Sequence, residues 1–471
     1  MAIRPHFSFL TEEEIQRIHK ESLSLLEEVG MTIHNEEALD ILAQAGCPVN
    51  RDLQHARIPP SLVEEQIRMA PSTITLYSRD GQPALNLERD KVHFNPGSAA
   101  THLLDLKTGD RRHPRVEDVI EFARVVDALP HIDAQSTALI PADVPHNLAD
   151  RYRLYLVLQN SSKPVVTGTF ALDAFDDMRL MLEAVAGGSK NLRSKPLAIF
   201  DACPSAPLQW SELTVHDLIC GAKAGIPIET ISMPQLGATS PVTLAGSLVL
   251  HNAESLSGIV LAQLAARGAP VIYGGSPTAI DMRFGTARLG AIESIMLTCA
   301  YTQMAKHYGM PTHGYLGLSD SKIGADYQSG FESTTGLLLG ALAGVNNIAG
   351  AGMLCFESTQ SFEKLLLDDV VAGMVKRLLQ GVSIDDDTLA LEALREVGMK
   401  GGDFLKLQHT LRWFKKEHYL PGKLVDRQPF EAWHMQGSAD SHRRASQHVR
   451  EILESHQPTP LNSDQKEALD E

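Results

Sequence analysis

A chain of 471 residues with 43% hydrophobic and 21% charged residues has the balance of a globular protein with a large core, which excludes disordered and fibrous classes. Its formal net charge of −16 argues against surfaces for nucleic acid or anionic membrane, because phosphates need basic stripes. The five cysteines, Cys47, Cys203, Cys220, Cys299 and Cys355, form no C-x-x-C pair, the N-terminus lacks the pattern of a secretory leader, and no stretch of ~18 apolar residues runs unbroken. The expectation is a soluble protein of the reducing cytoplasm, without nucleic-acid or membrane partners.

Thr11-Glu-Glu-Glu14 is a capping box, and Ile15, Ile18, Leu25, Leu26 and Val29 follow on one helical face. Short helices are predicted at 36–45 and 60–69. From residue 74 to 112 the pattern turns to short alternating runs broken by Asp80-Gly81 and Thr108-Gly109-Asp110, which predicts hairpins. A helix at 116–129, a strand at 131–139 and a helix at 148–159 come next.

A repeated cadence then begins. The runs Pro164-Val-Val-Thr-Gly, Pro196-Leu-Ala-Ile-Phe-Asp, Pro227-Ile-Glu-Thr-Ile-Ser-Met, Pro270-Val-Ile-Tyr-Gly-Gly, Pro311-Thr-His-Gly-Tyr and Asn347-Ile-Ala-Gly-Ala-Gly each precede a helix-length stretch. Proline has no N–H for a ladder and suits a strand's first residue. Repeated β-α units imply parallel strands with right-handed crossovers. With strands at 92–95 and 131–139 the count reaches about eight, as a TIM (β/α)8 barrel requires. The expected organisation is an N-terminal helical and hairpin extension (1–90), the barrel (91–380), C-terminal helices (381–456) and a mobile tail (457–471), with helical stretches at 365–394, 404–416 and 441–455.

In such a barrel the chemistry sits where the strands end. Phe94, Tyr273, Tyr315 and Phe356 fall there, with Trp210 just beyond Asp201. Aromatic walls beside carboxylates suit a quaternary ammonium ion, whose charge is drawn to the ring faces; the same aromatics also serve as plain plugs. His313 at a strand end is either a ligand contact or a satisfied core histidine. His251 and Glu254 share a helix face and read more simply as structural. Gly274-Gly275, Gly317 and Gly350-Ala-Gly352 open no nucleotide-binding motif, so they give either backbone room or close approach to a large planar ligand. Asp320 and Lys322 could pair, cap a helix or face a substrate, and Asp368-Asp369 look structural. No histidine and cysteine spacing suggests zinc.

Several segments, taken in order, carry a resemblance. They include Leu23-Ser-Leu-Leu-Glu-Glu-Val-Gly, Phe94-Asn-Pro-Gly, Asp105-Leu-Lys-Thr-Gly, Asp127-Ala-Leu-Pro-His-Ile-Asp, Gly237-Ala-Thr-Ser-Pro-Val-Thr-Leu-Ala-Gly, Asn252-Ala-Glu-Ser-Leu, Asp281-Met-Arg283 and Ser319-Asp-Ser-Lys322. From about residue 10 to 377 the chain resembles the trimethylamine methyltransferase superfamily, in particular its members without pyrrolysine, among them a glycine betaine enzyme. The resemblance implies a TIM barrel that passes a methyl group from an amine to the Co(I) form of cobalamin on a separate corrinoid protein docked over the strand ends. This chain has only standard residues, where the founding enzyme uses pyrrolysine to activate trimethylamine. A quaternary amine needs no such help, since its leaving group is already a neutral tertiary amine.

Glycine betaine, yielding dimethylglycine, is therefore the expected substrate, with carnitine, proline betaine and γ-butyrobetaine as rivals. The expected cage is Phe94, Tyr273, Tyr315 and Phe356, with Asp201 or Glu357 near the cation and His313, Arg283 and Gln235 at the carboxylate end. Gly274, Gly275, Gly317, Asp320, Gly350 and Gly352 would face the corrinoid. Two readings of other kinds stay open: a barrel lyase on an anionic substrate, which would want more strand-end arginines than Arg283, and a non-catalytic quaternary-amine binding module. A homodimer is compatible with a chain of this kind.

Overall fold

The computed structural model describes residues 4–471; the first three residues, part of the N-terminal stretch read above for a leader, lie outside them. Eight parallel strands close on themselves: β1 (His93–Phe94), β2 (Gln135–Ser136), β3 (Val165–Thr167), β4 (Ala198–Ala202), β5 (Ile228–Ser232), β6 (Val271–Gly275), β7 (His313–Tyr315) and β8 (Asn347–Ala349). Ladders join β2 through β6 in order and join β7 to β8 and β8 to β1. A bridge between Tyr273 and Thr312 links β6 to β7, and the Asp133 N–H donates to the Phe94 carbonyl at 2.8 Å to close the ring. The protein is a TIM barrel.

The prolines act as their chemistry dictates. None can donate at a strand start, yet each offers its carbonyl: Gln135, Phe200, Ile228 and Tyr273 donate to Pro164, Pro227, Pro270 and Pro311. The missing donors fall at the amino-terminal end of the barrel, where the ladder begins and no partner is lost.

That end is sealed. The hairpin Ile74–Tyr77 with Pro83–Leu87 points Ile74, Leu76, Leu85 and Leu87 at Ala134, Val166, Ile199 and Ile272 inside the barrel, and all eight are buried. Burying each larger aliphatic side chain is worth roughly 1.5–3 kcal/mol. Helix Glu12–Glu28, with the expected capping box at Thr11 and Glu14, packs on helix Leu244–Ala265. The latter is long and apolar enough to cross a membrane by length and composition, but 78% of its apolar window is buried within the fold.

Two expectations fail at the C-terminal side. Helix Phe362–Leu379 stops well before residue 394, because Gly381 takes φ +67° and Asp385 then caps a turn by accepting from the Thr388 N–H; a separate helix runs Leu391–Lys400. Nor is 457–471 a free tail. Helix Ser463–Asp470 packs on helix Ala174–Ala186, buries Leu469, and is held by Tyr155 donating to Asp470 at 2.7 Å and Gln465 donating to the Val185 carbonyl at 2.8 Å. A polar segment with one apolar anchor and an Asn462 cap was enough to order it.

Candidate active site

Side chains alternate in and out along a strand, and this parity decides which residues share the barrel interior. Ile199 and Ile272 lie in the apolar plug. Two residues above Ile199, the same face of β4 presents Asp201; its ladder neighbour on β5 is Glu229. The Glu229 carboxyl lies 3.2 Å from His313 Nδ1 and accepts from Asn347 Nδ2 at 2.8 Å. Asn95 donates in turn to Asn347 at 2.8 Å. The interior thus changes from aliphatic to polar within one layer.

Above this layer Tyr315, Ile231, Ala349, Leu318, Leu289 and Met353 form a small apolar cluster, with Cys203 and Phe356 against it. Tyr315 meets His313 edge-on, with ring centroids 5.0 Å apart and planes at 87°. Glu357 is next in chain to Phe356. Cys355, Phe356 and Glu357 all take positive φ, of 51°, 60° and 64°, a left-handed turn that costs non-glycine residues energy and concentrates at functional sites.

The electrostatics are those of a cluster of buried carboxyls that desolvation pushes toward protonation. Burial raises the Asp201 carboxyl to about 7, with the buried Arg153 guanidinium opposing. Burial and then Asp201 drive Glu229 well above the carboxylate range. Burial, followed by Asp320, raises Glu357 to about 7, and burial, followed by Glu332, raises Asp320 to about 6. Burial also lowers His313 to about 3, leaving it neutral. Orphaned polar atoms gather here: Asp201 Oδ1, Glu357 Oε1, Asp320 Oδ1 and His313 Nε2 are buried without a hydrogen-bond partner, and Glu229 Oε2 and His313 Nδ1 face only each other. Each such atom costs roughly 1–3 kcal/mol, so their concentration in one place calls for a physical reason.

Parity also corrects the expected site. Tyr273 and Phe94 face outward. Tyr273 donates to Asn252 at 2.9 Å and packs near Tyr301 and Tyr308 on the surrounding helices, while the Phe94 ring lies beneath the Lys376 ammonium. Phe356 reaches the mouth, but Lys322 Nζ already sits 4.0 Å from its ring centroid. Arg283 is exposed and clamped to Asp281 by bonds of 3.0 and 2.6 Å, at the tip of a hairpin. Gln235 anchors a turn, its carbonyl accepting from Ala238, Thr239 and Ser240.

Five of the six residues assigned to a corrinoid face are glycines, and their open sides are filled by the protein. A Cβ on Gly275 would lie 2.1 Å from His251 Nε2; one on Gly317 would meet the Ala351 nitrogen at 2.9 Å; those on Gly274, Gly350 and Gly352 would meet His313, Leu318 and Gln360. These glycines let loops pack on one another. Asp320 does reach the mouth, accepting from the Gly290 N–H at 3.1 Å. His251 and Glu254 lie outside the lumen: His251 stacks on Tyr301 at 4.3 Å, and Glu254 accepts from Ser232 and Leu208.

Composition and cadence missed Glu229, Asn95, Asn347 and Arg153. Residues at even offsets from Pro164, Pro227, Pro270 and Pro311 (Val166, Glu229, Ile272, His313) all point inward, so Glu229 was readable from Pro227 by parity. Arg153, on a helix, donates to the Thr137 carbonyl at 2.7 Å from outside the strands, and no strand pattern could have shown it.

The trimethylamine methyltransferase (MTTB) family pattern matches residues 2–471. The chain belongs to that family. It is 37% identical over 451 residues to the trimethylamine methyltransferase MttB of Desulfitobacterium hafniense strain DSM 10664 / DCB-2, covering 96% of this chain and 90% of that one. It is 34% identical over 466 residues to MttB of Methanosarcina barkeri, covering 97% and 92%. A glycine betaine methyltransferase of Desulfitobacterium hafniense strain Y51 is 32% identical over 460 residues, covering 97% and 95%. Among solved structures, the monomethylamine methyltransferase MtmB of Methanosarcina barkeri superposes with a TM-score of 0.53 over 95% of this chain and 88% of its own, at 10% identity, a likeness of fold. The family member described here is an enzyme, an amine methyltransferase.

Proposed function

We propose that this enzyme removes a methyl group from a quaternary amine, first among them glycine betaine, and delivers it to a corrinoid carried by a partner protein, releasing dimethylglycine. The observation that carries the reading is the cluster of buried carboxyl groups of Asp201, Glu229 and Glu357 around Tyr315, with Asp201 Oδ1 and Glu357 Oε1 left without a hydrogen-bond partner. A quaternary ammonium has no N–H to give, so it is held by charge and ring faces. Its positive charge compensates carboxylates that burial otherwise forces toward protonation.

The chemistry asks little more of the protein. The N–CH3 bond breaks with its electron pair left on nitrogen, so the departing tertiary amine is neutral and takes no proton. A reduced corrinoid supplies the nucleophile when its carrier docks. The chain's own tasks are to hold the ammonium against Tyr315 beside the neutral His313, and to exclude water. A broad apolar group could be received at the rim, where Val242, Met282, Phe284 and Ile323 are exposed on loops that follow β5, β6 and β7, and Tyr327 is exposed at the start of the helix Tyr327–Ala343. Exposed apolar side chains of this kind suit a docking partner. Five cysteines that are all unpaired agree with a reducing cytoplasmic setting.

The glycine betaine enzyme among the relatives favours that substrate. Carnitine, proline betaine and γ-butyrobetaine share the chemistry and differ in length. The test is an anaerobic incubation of the protein with Co(I)-cobalamin and a panel of amines, following loss of the Co(I) absorbance and release of the demethylated amine. Dimethylglycine from glycine betaine, with none of the signal from trimethylamine, is the expected result. Activity on trimethylamine alone would reject the quaternary-amine reading, and ligand binding without transfer, even with a cognate corrinoid protein, would favour a binding module.

A further inference from the structure

Glycine betaine is a zwitterion, and a chamber built for its cation is hostile to its carboxylate. Asp201, Glu229 and Glu357 lie around Tyr315, Asp320 lies near Glu357, and the neutral His313 offers no positive charge. The anionic end therefore needs a cation near the mouth whose charge is not already spent.

The neighbouring cations are mostly spent. Arg283 is bonded twice to Asp281. Lys364 is buried and paired with Asp368 at 2.6 Å. Arg153 gives its guanidinium to the Thr137 and Gly168 carbonyls behind the strands. Arg288 has a buried Nε without a hydrogen-bond partner, but it lies on the hairpin strand Thr286–Arg288 between Ala287 and Leu289, which both pack into the mouth cluster, so strand alternation turns it away, and its charge acts on Asp281.

Lys322 differs from all of these. Its ammonium donates to the Asp320 backbone carbonyl at 2.5 Å and rests over the Phe356 ring, and it has no carboxylate partner within ion-pair distance among the described residues. The nearest candidate, Asp320, directs Oδ2 to the Gly290 N–H instead. Phe356 packs on the cluster that contains Tyr315, so the ring under Lys322 is continuous with the wall of the ammonium chamber. The loop that carries the lysine leads directly from β7, which supplies His313 and Tyr315.

We propose that Lys322, seated on the Phe356 ring at the rim of the barrel, binds the carboxylate of a zwitterionic quaternary amine and so determines the preference for carboxylate-bearing substrates. The proposal rests on the quaternary-amine reading above. It divides the substrate between two regions: the ammonium below, among Tyr315 and the buried carboxyls, and the carboxylate above, at an ammonium held in place by one ring face and one carbonyl. A lysine rather than an arginine fits a site that must release a small anion and readmit it, because its compact ammonium is a point charge on a flexible stem.

The test compares glycine betaine with tetramethylammonium, which carries the same cation and no carboxylate, by calorimetric titration and by methyl-transfer kinetics. Lys322→Met keeps the stem and removes the charge. It is expected to lower the ratio of betaine to tetramethylammonium affinity by roughly 10–100-fold, with the change in KM rather than kcat, while Lys322→Arg retains most of the ratio. The side chain is exposed, so the variants should fold, and circular dichroism checks that they do. An unchanged ratio, or an equal loss for both ligands, overturns the proposal and leaves the function standing. Absence of binding and turnover with every quaternary amine in the wild type overturns the function, and the role of Lys322 with it.

Discussion

The lower and upper halves of the barrel are built from the same strands by the same alternation, yet they are opposites. Below, Ile199 and Ile272 meet the hairpin leucines in a sealed aliphatic plug. Above, one inward position later on β4, Asp201 stands with an unpartnered oxygen, and Glu229 and His313 complete the layer. The plug gains free energy from burial and the chamber loses it, so the stable half supports the desolvation of the functional half.

Breaking the plug should have the largest effect. Leu87→Ala, at a fully buried position, is expected to cost about 2–5 kcal/mol, read as a fall in thermal midpoint. Ligand affinity at a temperature where the variant stays folded should be little changed, because the cavity opens away from the chamber. Loss of ligand binding in step with the midpoint would deny the separation of the two halves.

Relieving the chamber should have the reverse effect. The folded protein holds the Asp201 proton up to about pH 7, whereas the unfolded chain releases it near 3.8. Between those values the unfolded state binds fewer protons, so this group reduces stability as pH rises and its penalty is complete above pH 7. Asp201→Asn should therefore be more stable than the wild type at pH 8, by roughly 1–3 kcal/mol, with the difference gone near pH 4. Denaturant titrations at both pH values check this. The variant should also bind a quaternary ammonium more weakly, and wild-type binding should tighten from pH 6 to pH 8 with release of protons. Equal stability at pH 8 would mean that Asp201 is already compensated.

The same comparison shows what the sequence could reveal. Strand starts were legible because proline at a ladder's first residue has one physical reading, and the barrel followed from their repetition. Inward and outward faces were legible too, but only by counting from those prolines. Strand-end position alone admitted Tyr273, whose odd offset from Pro270 turns it to the helices, and passed over Glu229, whose even offset from Pro227 turns it inward. Pro196 breaks the rule by one residue, since Ile199 and Asp201 face inward. The mouth itself was less legible, because Phe356, Glu357, Asp320 and Lys322 come together through loops whose left-handed turn and glycine packing have no period to count.

A smaller effect sharpens the account of the upper half. Tyr315→Leu should weaken quaternary-ammonium binding by about 0.5–2 kcal/mol, whereas Tyr315→Phe keeps the ring face and most of the affinity. Calorimetry on the two variants distinguishes a ring that attracts charge from one that only fills space; equal losses would support the plug reading.

The most direct measurement is a crystal structure of the protein with glycine betaine. The trimethylammonium group is expected within ~6 Å of the Tyr315 ring centroid, among the oxygens of Asp201, Glu229 and Glu357, with the carboxylate directed to the mouth. Betaine bound outside the barrel, or with its carboxylate buried against Glu229, would contradict that placement.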